Sequence, residues 1–498
     1  MRKVHSLLGI VFILLYINVS AQENVFLDRN YWKSNPTIQQ IDKDIASGND
    51  PAELNRFAFD AVSWALIEKV DNQTIKYLLT KKGNDVNKKT HDGRTYIFWA
   101  IYRDNLEMMK HLLEKGATTD IIDSHGYSLL NFAAVTGQQN VKLYDFCIAN
   151  GADLLTEKNN DGANALLLVA PFLENDKLID YFVDRGIDLH CIDTNGNGIF
   201  NYAAKKGNKE ILNQLIKKGV AYKNLNSEGG NAFVFASQGT RNSANNLEVY
   251  KYFEGIGIQP NVVTDKGINA LHALAFKNKE RAIFDYFIQK GVDVNQPNSK
   301  GDTPFANAAS RNDMQRISHL ITYVKDIDQA NKSGVTPLMK AVQRNTIDVI
   351  RLLLDHEANP LAKDLKGNSL AYYVLQSYQK DKAQEFDQKI ALLQEKGVDF
   401  TEVQADGHTL WHLAVKENDI ELLKRIAKLT VPMNSKNDEG NTALHLAAMK
   451  ATSADLLKFL LENGADKSIQ TSFEETVFDL ATENELLQQQ NVELSFLQ

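Results

Sequence analysis

A glycine returns along this chain at an interval of about 33 residues, and no other feature limits the possible folds as sharply. It stands at Gly93, Gly126, Gly162, Gly196, Gly229, Gly267, Gly301, Gly334, Gly367, Gly407 and Gly440, with successive spacings of 33, 36, 34, 33, 38, 34, 33, 33, 40 and 33. Such a period signals a repeat architecture. Each unit is too small to bury its apolar face alone and needs copies on either side. The stretch GNTALHLAAMKATSADLLKFLLENGAD, from Gly440 to Asp466, shows what one unit contains. Thr442 is placed to cap a short first helix. Ala447 and Ala448 let that helix lie close to a neighbour. A second helix starts at Thr452 or Ser453, and Leu456, Leu457, Leu460 and Leu461 give it one apolar stripe. Gly464 falls where a helix ends in a left-handed turn, which glycine enters without a Cβ penalty.

The residues after the opening glycine recur as well. They read DTPFANAA from Asp302, VTPLMKAV from Val335, INALHALA from Ile268 and HTLWHLAV from His408. This pattern resembles the ankyrin repeat, whose signature is T-P-L-H-x-A. The resemblance covers residues 57 to 482, although no single unit carries the complete signature. It implies an all-α solenoid of stacked helix–turn–helix units with β-hairpin fingers, about twelve units plus terminal caps. The fingers are the ten-residue steps from the glycine ending one second helix to the glycine opening the next unit, as from Gly116 to Gly126 and from Gly291 to Gly301. At the turn between the two helices stand Gly137, Gly207, Asn278, Asn312, Asn345 and Asn418, residue types that tolerate the left-handed conformation.

The chain divides into four segments. Residues 1–21, MRKVHSLLGIVFILLYINVSA, combine a basic start, an apolar run and a small-residue cleavage site, which reads as a secretory signal peptide. Residues 22–56 read as an N-terminal capping segment, with a helix over IQQIDKDIASG that has Pro36 in its first turn. Residues 57–472 are the array, opened by a degenerate unit in which Asp60 stands at the glycine position. Residues 473–498 read as a C-terminal half repeat and cap, with ENELLQQQ as its solvated extension. Two units carry extra length near the helix–helix turn, TRNSANN from Thr240 and SYQKDKAQEFDQK from Ser377. Repeat arrays place insertions where stacking is undisturbed, so both are expected on the edge away from the fingers, as tolerated surface length.

Composition narrows the setting. No later stretch is apolar enough to span a bilayer. No cysteine follows the cleavage point closely, so a lipid anchor is not expected, and the mature chain reads as a soluble exported protein, periplasmic or secreted. Removing the signal leaves 53 Lys and Arg against 63 Asp and Glu, which argues against nucleic acid as a partner. Cys147 and Cys191 lie two units apart, too far to bridge at about 10 Å per helix layer. A monomer is expected.

Motifs for catalysis or metal binding are missing. There is no HExxH, CxxC, GxxxxGK[ST] or GxSxG. The finger aspartates Asp92, Asp123, Asp161 and Asp193 follow the repeat spacing and not that of a calcium loop, which fits Asp bonding its own turn. His272, His412 and His445 occupy the signature position that, by the resemblance, is structural. The chain therefore reads as a non-enzyme without cofactor or metal.

The resemblance instead implies partner binding along the fingers and inner helices. Carried over position by position, the inner-helix ends hold Arg103, Thr136, Phe172, Lys206, Gly239, Lys277, Arg311, Arg344, Ser377, Glu417 and Lys450, six of them basic and one acidic, a basic row on an acidic chain. The finger tips carry the apolar Ile122, Ile192, Leu225 and Val263, and aromatic side chains stand nearby at Tyr102, Tyr127 and Phe276. Aromatic and Arg side chains tend to dominate interface energetics. The expected function is a non-catalytic protein-interaction scaffold or adaptor outside the cytoplasm, binding a protein partner with an acidic surface along the concave face. The alternative is an enzyme-inhibiting or toxin-neutralising protein using the same groove.

Overall fold

The computed structural model describes residues 24–498 apart from 242 and 279. The signal peptide expected at 1–21 lies outside the described residues. The chain forms two compact units, divided between Ile199 and Phe200. Both are built from helix pairs, and the described residues contain no strand beyond one isolated bridge between Ile192 and Gly198.

In the first unit the inner helices Ala61–Ile67, Tyr96–Tyr102, Leu129–Val135 and Ala165–Val169 stack on one another in sequence. In the second, the inner helices from Ala232–Gln238 through Ala270–Lys277, Pro304–Arg311, Pro337–Arg344, Leu370–Leu375, Leu410–Ala414 and Ala443–Lys450 to Val477–Glu483 do the same. Outer helices pack behind them on an apolar stripe. Val349, Ile350 and Leu353 of Ile347–Asp355 are buried, as are Leu456, Leu457 and Leu460 of Ala454–Glu462. Each such side chain contributes about 2 kcal/mol by leaving water.

The start of most inner helices is set by a side-chain cap; Thr95, before Tyr96–Tyr102, makes none. Thr442 accepts from the His445 N–H, while the His445 ring accepts from the Thr442 N–H at 3.0 Å. His412 does the same to Thr409 at 3.1 Å, and His272 to Asn269 at 3.1 Å. The far ring nitrogen then donates across to the next repeat, from His272 to the Asp302 carbonyl at 3.2 Å, from His412 to that of Asn441 at 2.9 Å and from His445 to that of Ile469 at 2.9 Å. These histidines thus stitch one unit to the next as neutral imidazoles.

The fingers are shorter than strand hairpins. Each closes as a turn in which one N–H reaches the carbonyl four residues on, as from Asp123 to Tyr127 and from Asn331 to Val335, both 3.0 Å. The turn side chain takes up the intervening N–H groups. Asp123 accepts from His125 and Tyr127 at 2.9 Å, so this aspartate bonds its own turn. Within each unit several tips also bond the tip before them. The Ser299 N–H reaches the Lys266 carbonyl at 2.7 Å, and the Leu365 N–H reaches that of Ser333 at 2.9 Å. With both ladder directions used this way, no residues remain to extend a two-stranded ribbon.

The opening glycine owes its place to this geometry. Gly334 has φ +78°, and a Cβ there would lie 2.6 Å from the Leu365 backbone nitrogen. The first unit departs from the rule, and not where the sequence reading placed it. Asp60 is the helix cap, fully buried, bonded by the Tyr96 hydroxyl at 2.7 Å and by Lys88 at 2.8 Å. The glycine position is two residues earlier, at Ala58, which is held at φ +58°. Ala58→Gly is therefore expected to stabilise the protein by about 1 kcal/mol, and Gly334→Ala to destabilise it by about 2 kcal/mol or more. Urea unfolding of the two variants beside the wild type checks both. Opposite signs are required.

Other expectations are also revised. Asn278, Asn312 and Asn345 are extended, not left-handed, with φ −74°, −83° and −113°. Their side chains act instead. Asn312 donates to the carbonyls of Ala275 at 2.7 Å and Asn278 at 3.1 Å, and Asn345 to those of Ala309 and Asn312 at 2.9 Å. Asn312 and Asn345 thereby satisfy carbonyls that the preceding inner helix leaves without partners, while the Asn278 side chain accepts from the Glu280 N–H at 2.8 Å. Gly137, Gly207 and Asn418 do take the left-handed form expected of them, at φ 80°, 65° and 51°. Near the N-terminus, Pro36 precedes the cap Thr37 of the helix Ile38–Ala46 and lies outside its first turn. At the C-terminus, ENELLQQQ is no mere extension. It forms the helix Glu485–Gln489 with Leu487 buried, and Asn484 repeats the asparagine ladder onto Ala448 and Ala451 at 2.9 Å.

Candidate binding surface

In the first unit the surface positions singled out by sequence do not form one site. Ile122 and Ile192 are bare at the finger tips, 69% and 58% exposed. Tyr102 is exposed, and the Arg103 guanidinium sits over its ring at 4.8 Å. Tyr127 is half-buried. Phe172 lies across the helix–helix turn of the preceding repeat, so close that a Cβ on Gly137 would fall 2.7 Å from its ring. Its ring packs within the array and is half-buried.

The second unit behaves differently. Arg311 and Arg344, at the ends of successive inner helices, line one open cavity of about 700 Å3 together with Gln343, Gln376, Gln379 and Glu417. A second cavity of about 640 Å3 continues from Gln343, Arg344 and Gln376 toward Phe276 and the finger residues Lys300, Asp302, Asp364 and Lys366. The two share side chains and form a single groove between inner helices and fingers. It draws together Phe276, Arg311 and Arg344. Lys206, Leu225, Val263, Lys277 and Lys450 are exposed elsewhere on this unit, and Lys277 donates to the Gln238 carbonyl at 3.1 Å.

The charges in the groove are unequally engaged. Asp302 holds Lys340 at 2.6 Å and accepts from Asn331 at 2.8 Å. Asp364 accepts from its own turn, from Asn368 and from the Tyr373 hydroxyl at 2.7 Å, and these bonds hold its carboxyl below the usual range despite burial. Among the described residues the side chains of Arg311, Lys300 and Lys366 make no ion pair or hydrogen bond, and Arg344 bonds only Gln343, at 3.2 Å. The carboxylates mostly face inward to their neighbours, and the cations are free to face a ligand. Gln343 donates to Gln376 across adjacent units, which lines the floor with amides able both to donate and to accept.

Sequence reasoning missed the glutamines and the second insertion. Tyr378 and Gln379 line the first cavity with Arg311 and Arg344, so this segment adjoins the groove. The available signal was its position, directly after the inner helix that supplies Gln376. Among the described residues no cluster of His, Cys, Asp and Glu is arranged for a metal ion, and no helix is long and apolar enough to cross a membrane. Cys147 is buried and Cys191 half-buried, both unpaired, and burial raises the Cys147 thiol to about 12.

Comparison with known proteins agrees with this architecture. A family model for ankyrin repeats in three copies matches residues 62–157, 271–364, 306–386 and 382–471. An ankyrin repeat protein of Acanthamoeba polyphaga mimivirus is 26% identical over 393 residues, 74% of this chain and 42% of that one. The phosphocholine transferase AnkX of Legionella pneumophila is 25% identical over 270 residues, 54% of this chain and 25% of that protein. The chain thus spans less than half the length of these curated relatives. Among solved structures, the ankyrin repeat domain of Bcl-3 is 20% identical with a TM-score of 0.35, covering 45% of this chain and 99% of its own. With the family model matched over more than half of its residues, the chain belongs to the ankyrin-repeat family.

Proposed function

We propose that this protein is an exported interaction scaffold whose partner lies in the groove of the second unit, between the inner-helix ends and the fingers. Ankyrin repeats are in general non-catalytic scaffolds that bind protein partners. The observation that carries the finer reading is the inequality of charge engagement there: Arg311, Arg344, Lys300 and Lys366 lack carboxylate partners, while Asp302 and Asp364 are already bonded. A rigid groove of this kind binds with little ordering cost. The basic start, apolar run and Val19-Ser20-Ala21 support export and a mature N-terminus at Gln22.

A photo-crosslinking residue placed at Gln343 or Gln376 in the native host tests both parts. Distinct adducts are expected at these positions and not at Lys217 on an outer helix, from a protein whose N-terminus by mass spectrometry is Gln22. Equal labelling at all three sites, or an uncleaved N-terminus, would count against the reading. A single adduct in one-to-one ratio that silences an enzyme would favour an inhibitor over a scaffold.

A further inference from the structure

The second insertion, Ser377 to Lys389, contributes more than length. The outer helix that begins within it, Ala383–Glu395, is 13 residues long where Ile347–Asp355 before it has 9 and Ile420–Ile426 after it has 7. The added turn carries its first residues over the end of the inner helix Pro337–Arg344, and the Lys389 ammonium donates to the Val342 carbonyl at 3.2 Å. A side cavity of about 270 Å3, sharing Arg311, Gln343, Arg344 and Gln379 with the first, lies there. Arg311 and Arg344 from the repeats and Lys382, Glu385, Phe386 and Lys389 from the inserted segment line it.

We infer that the segment 377–389 is the wall of a carboxylate pocket, in which Arg311, Arg344, Lys382 and Lys389 receive one acidic side chain of an extended partner peptide lying in the groove. This rests on the groove being the partner site. Four cations surround the pocket against one carboxylate, Glu385, which stands 4.0 Å from Lys389. Lys389 is only 5% exposed and has one carbonyl for its three N–H donors. Arg311 and Lys382 have no side-chain partner among the described residues. Burial lowers the Lys389 ammonium below its usual range, the Glu385 carboxylate opposes this, and Lys382 adds repulsion. An incoming carboxylate would offset the cost and bridge a guanidinium in bidentate fashion.

A peptide fits better than a polyanion. Glu417, Asp302 and Asp364 interrupt the groove and would repel an unbroken run of phosphates, whereas Gln343, Gln376 and Gln379 match the donors and acceptors of a peptide backbone.

The test uses the full mature chain and a fluorescein-labelled decapeptide of alternating glutamate and alanine, read by anisotropy at low salt, with polyphosphate as competitor. Lys382→Ser and Lys389→Met are each expected to weaken peptide binding about tenfold, the scale of one charge-assisted hydrogen bond. Lys382 is exposed, so its variant remains informative even if Lys389→Met unfolds. Wild-type affinity in Lys382→Ser and a folded Lys389→Met, with binding still abolished by Arg311→Glu and Arg344→Glu, would overturn the pocket and leave the groove. Failure of the wild type to bind the peptide, or displacement by polyphosphate at lower charge concentration than by unlabelled peptide, would overturn the acidic-peptide assignment. Loss of crosslinking at Gln343 would remove the groove itself.

Discussion

Acidification from pH 7.5 to pH 5 is expected to remove about 2 kcal/mol of stability through His412 alone, and about 3 kcal/mol by pH 4. The reason lies in its two hydrogen bonds. The ring accepts the Thr409 N–H on one nitrogen, which also lies 2.7 Å from the Thr409 hydroxyl, and donates to the Asn441 carbonyl from the other, so a second proton would displace the N–H bond. Burial holds this imidazole down to about 4, with His408, Lys416 and His445 adding repulsion. In the unfolded chain the same group titrates near 6.5, so it takes up a proton over a range where the folded protein refuses it. The unfolded state then binds more protons, and stability falls as pH drops from about 6.5 to about 4. His272 and His445 are also held below the usual range by burial and act in the same direction. Carboxylates titrate mainly below this window, so urea midpoints at pH 7.5 and 5.0 isolate the histidines. His412→Gln is expected to flatten the dependence while lowering stability at pH 7.5. An unchanged slope in that variant would show that the stitching histidine is not the source.

The same histidines show what the sequence makes legible. Their spacing within the repeat was enough to assign them a structural role, because a short motif and its bonding partners lie within one or two units. Register could be read for a similar reason, since a backbone that must be left-handed and close to its neighbour leaves glycine as the only residue without a side-chain penalty. Where that constraint was broken, the reading slipped by two residues: Ala58 holds the glycine conformation without being glycine, and Asp60 was mistaken for it. The left-handed expectation held at Gly137, Gly207 and Asn418, but Asn278, Asn312 and Asn345 were placed correctly for the wrong reason. Left-handed tolerance and a side-chain ladder select the same residue type, and only the coordinates separate them. The insertion was the least legible part, because its role depends on Lys389 reaching Val342, 47 residues away, from a helix whose extra turn has no marker in the repeat pattern. The basic row was legible as composition. That only Phe276, Arg311 and Arg344 of its members and aromatic neighbours would share a groove was not, because that depends on which units bring a glutamine to the adjacent face.

Replacing both Arg311 and Arg344 by glutamate is expected to lower affinity for the partner at least 100-fold, about 3 kcal/mol, with little change in unfolding. Neither guanidinium supports the fold. Both are exposed, Arg311 has no side-chain partner among the described residues, and Arg344 loses only its bond to Gln343. In the groove, by contrast, each reversal removes an unengaged cation and sets a carboxylate beside Glu417 or Glu385. Like-charge juxtaposition across an interface weakens the wrong pairing by several kcal/mol and slows encounter. The association rate should fall more than the dissociation rate rises, and the wild-type advantage should shrink in high salt as screening removes the long-range part. Binding kinetics with the partner identified by crosslinking measure all three, with Lys110→Glu and Lys217→Glu on outer helices as controls of equal charge change. If the control pair weakens binding as much as the groove pair, net charge and not the groove governs recognition. If the groove pair binds as the wild type does, the partner lies on another face.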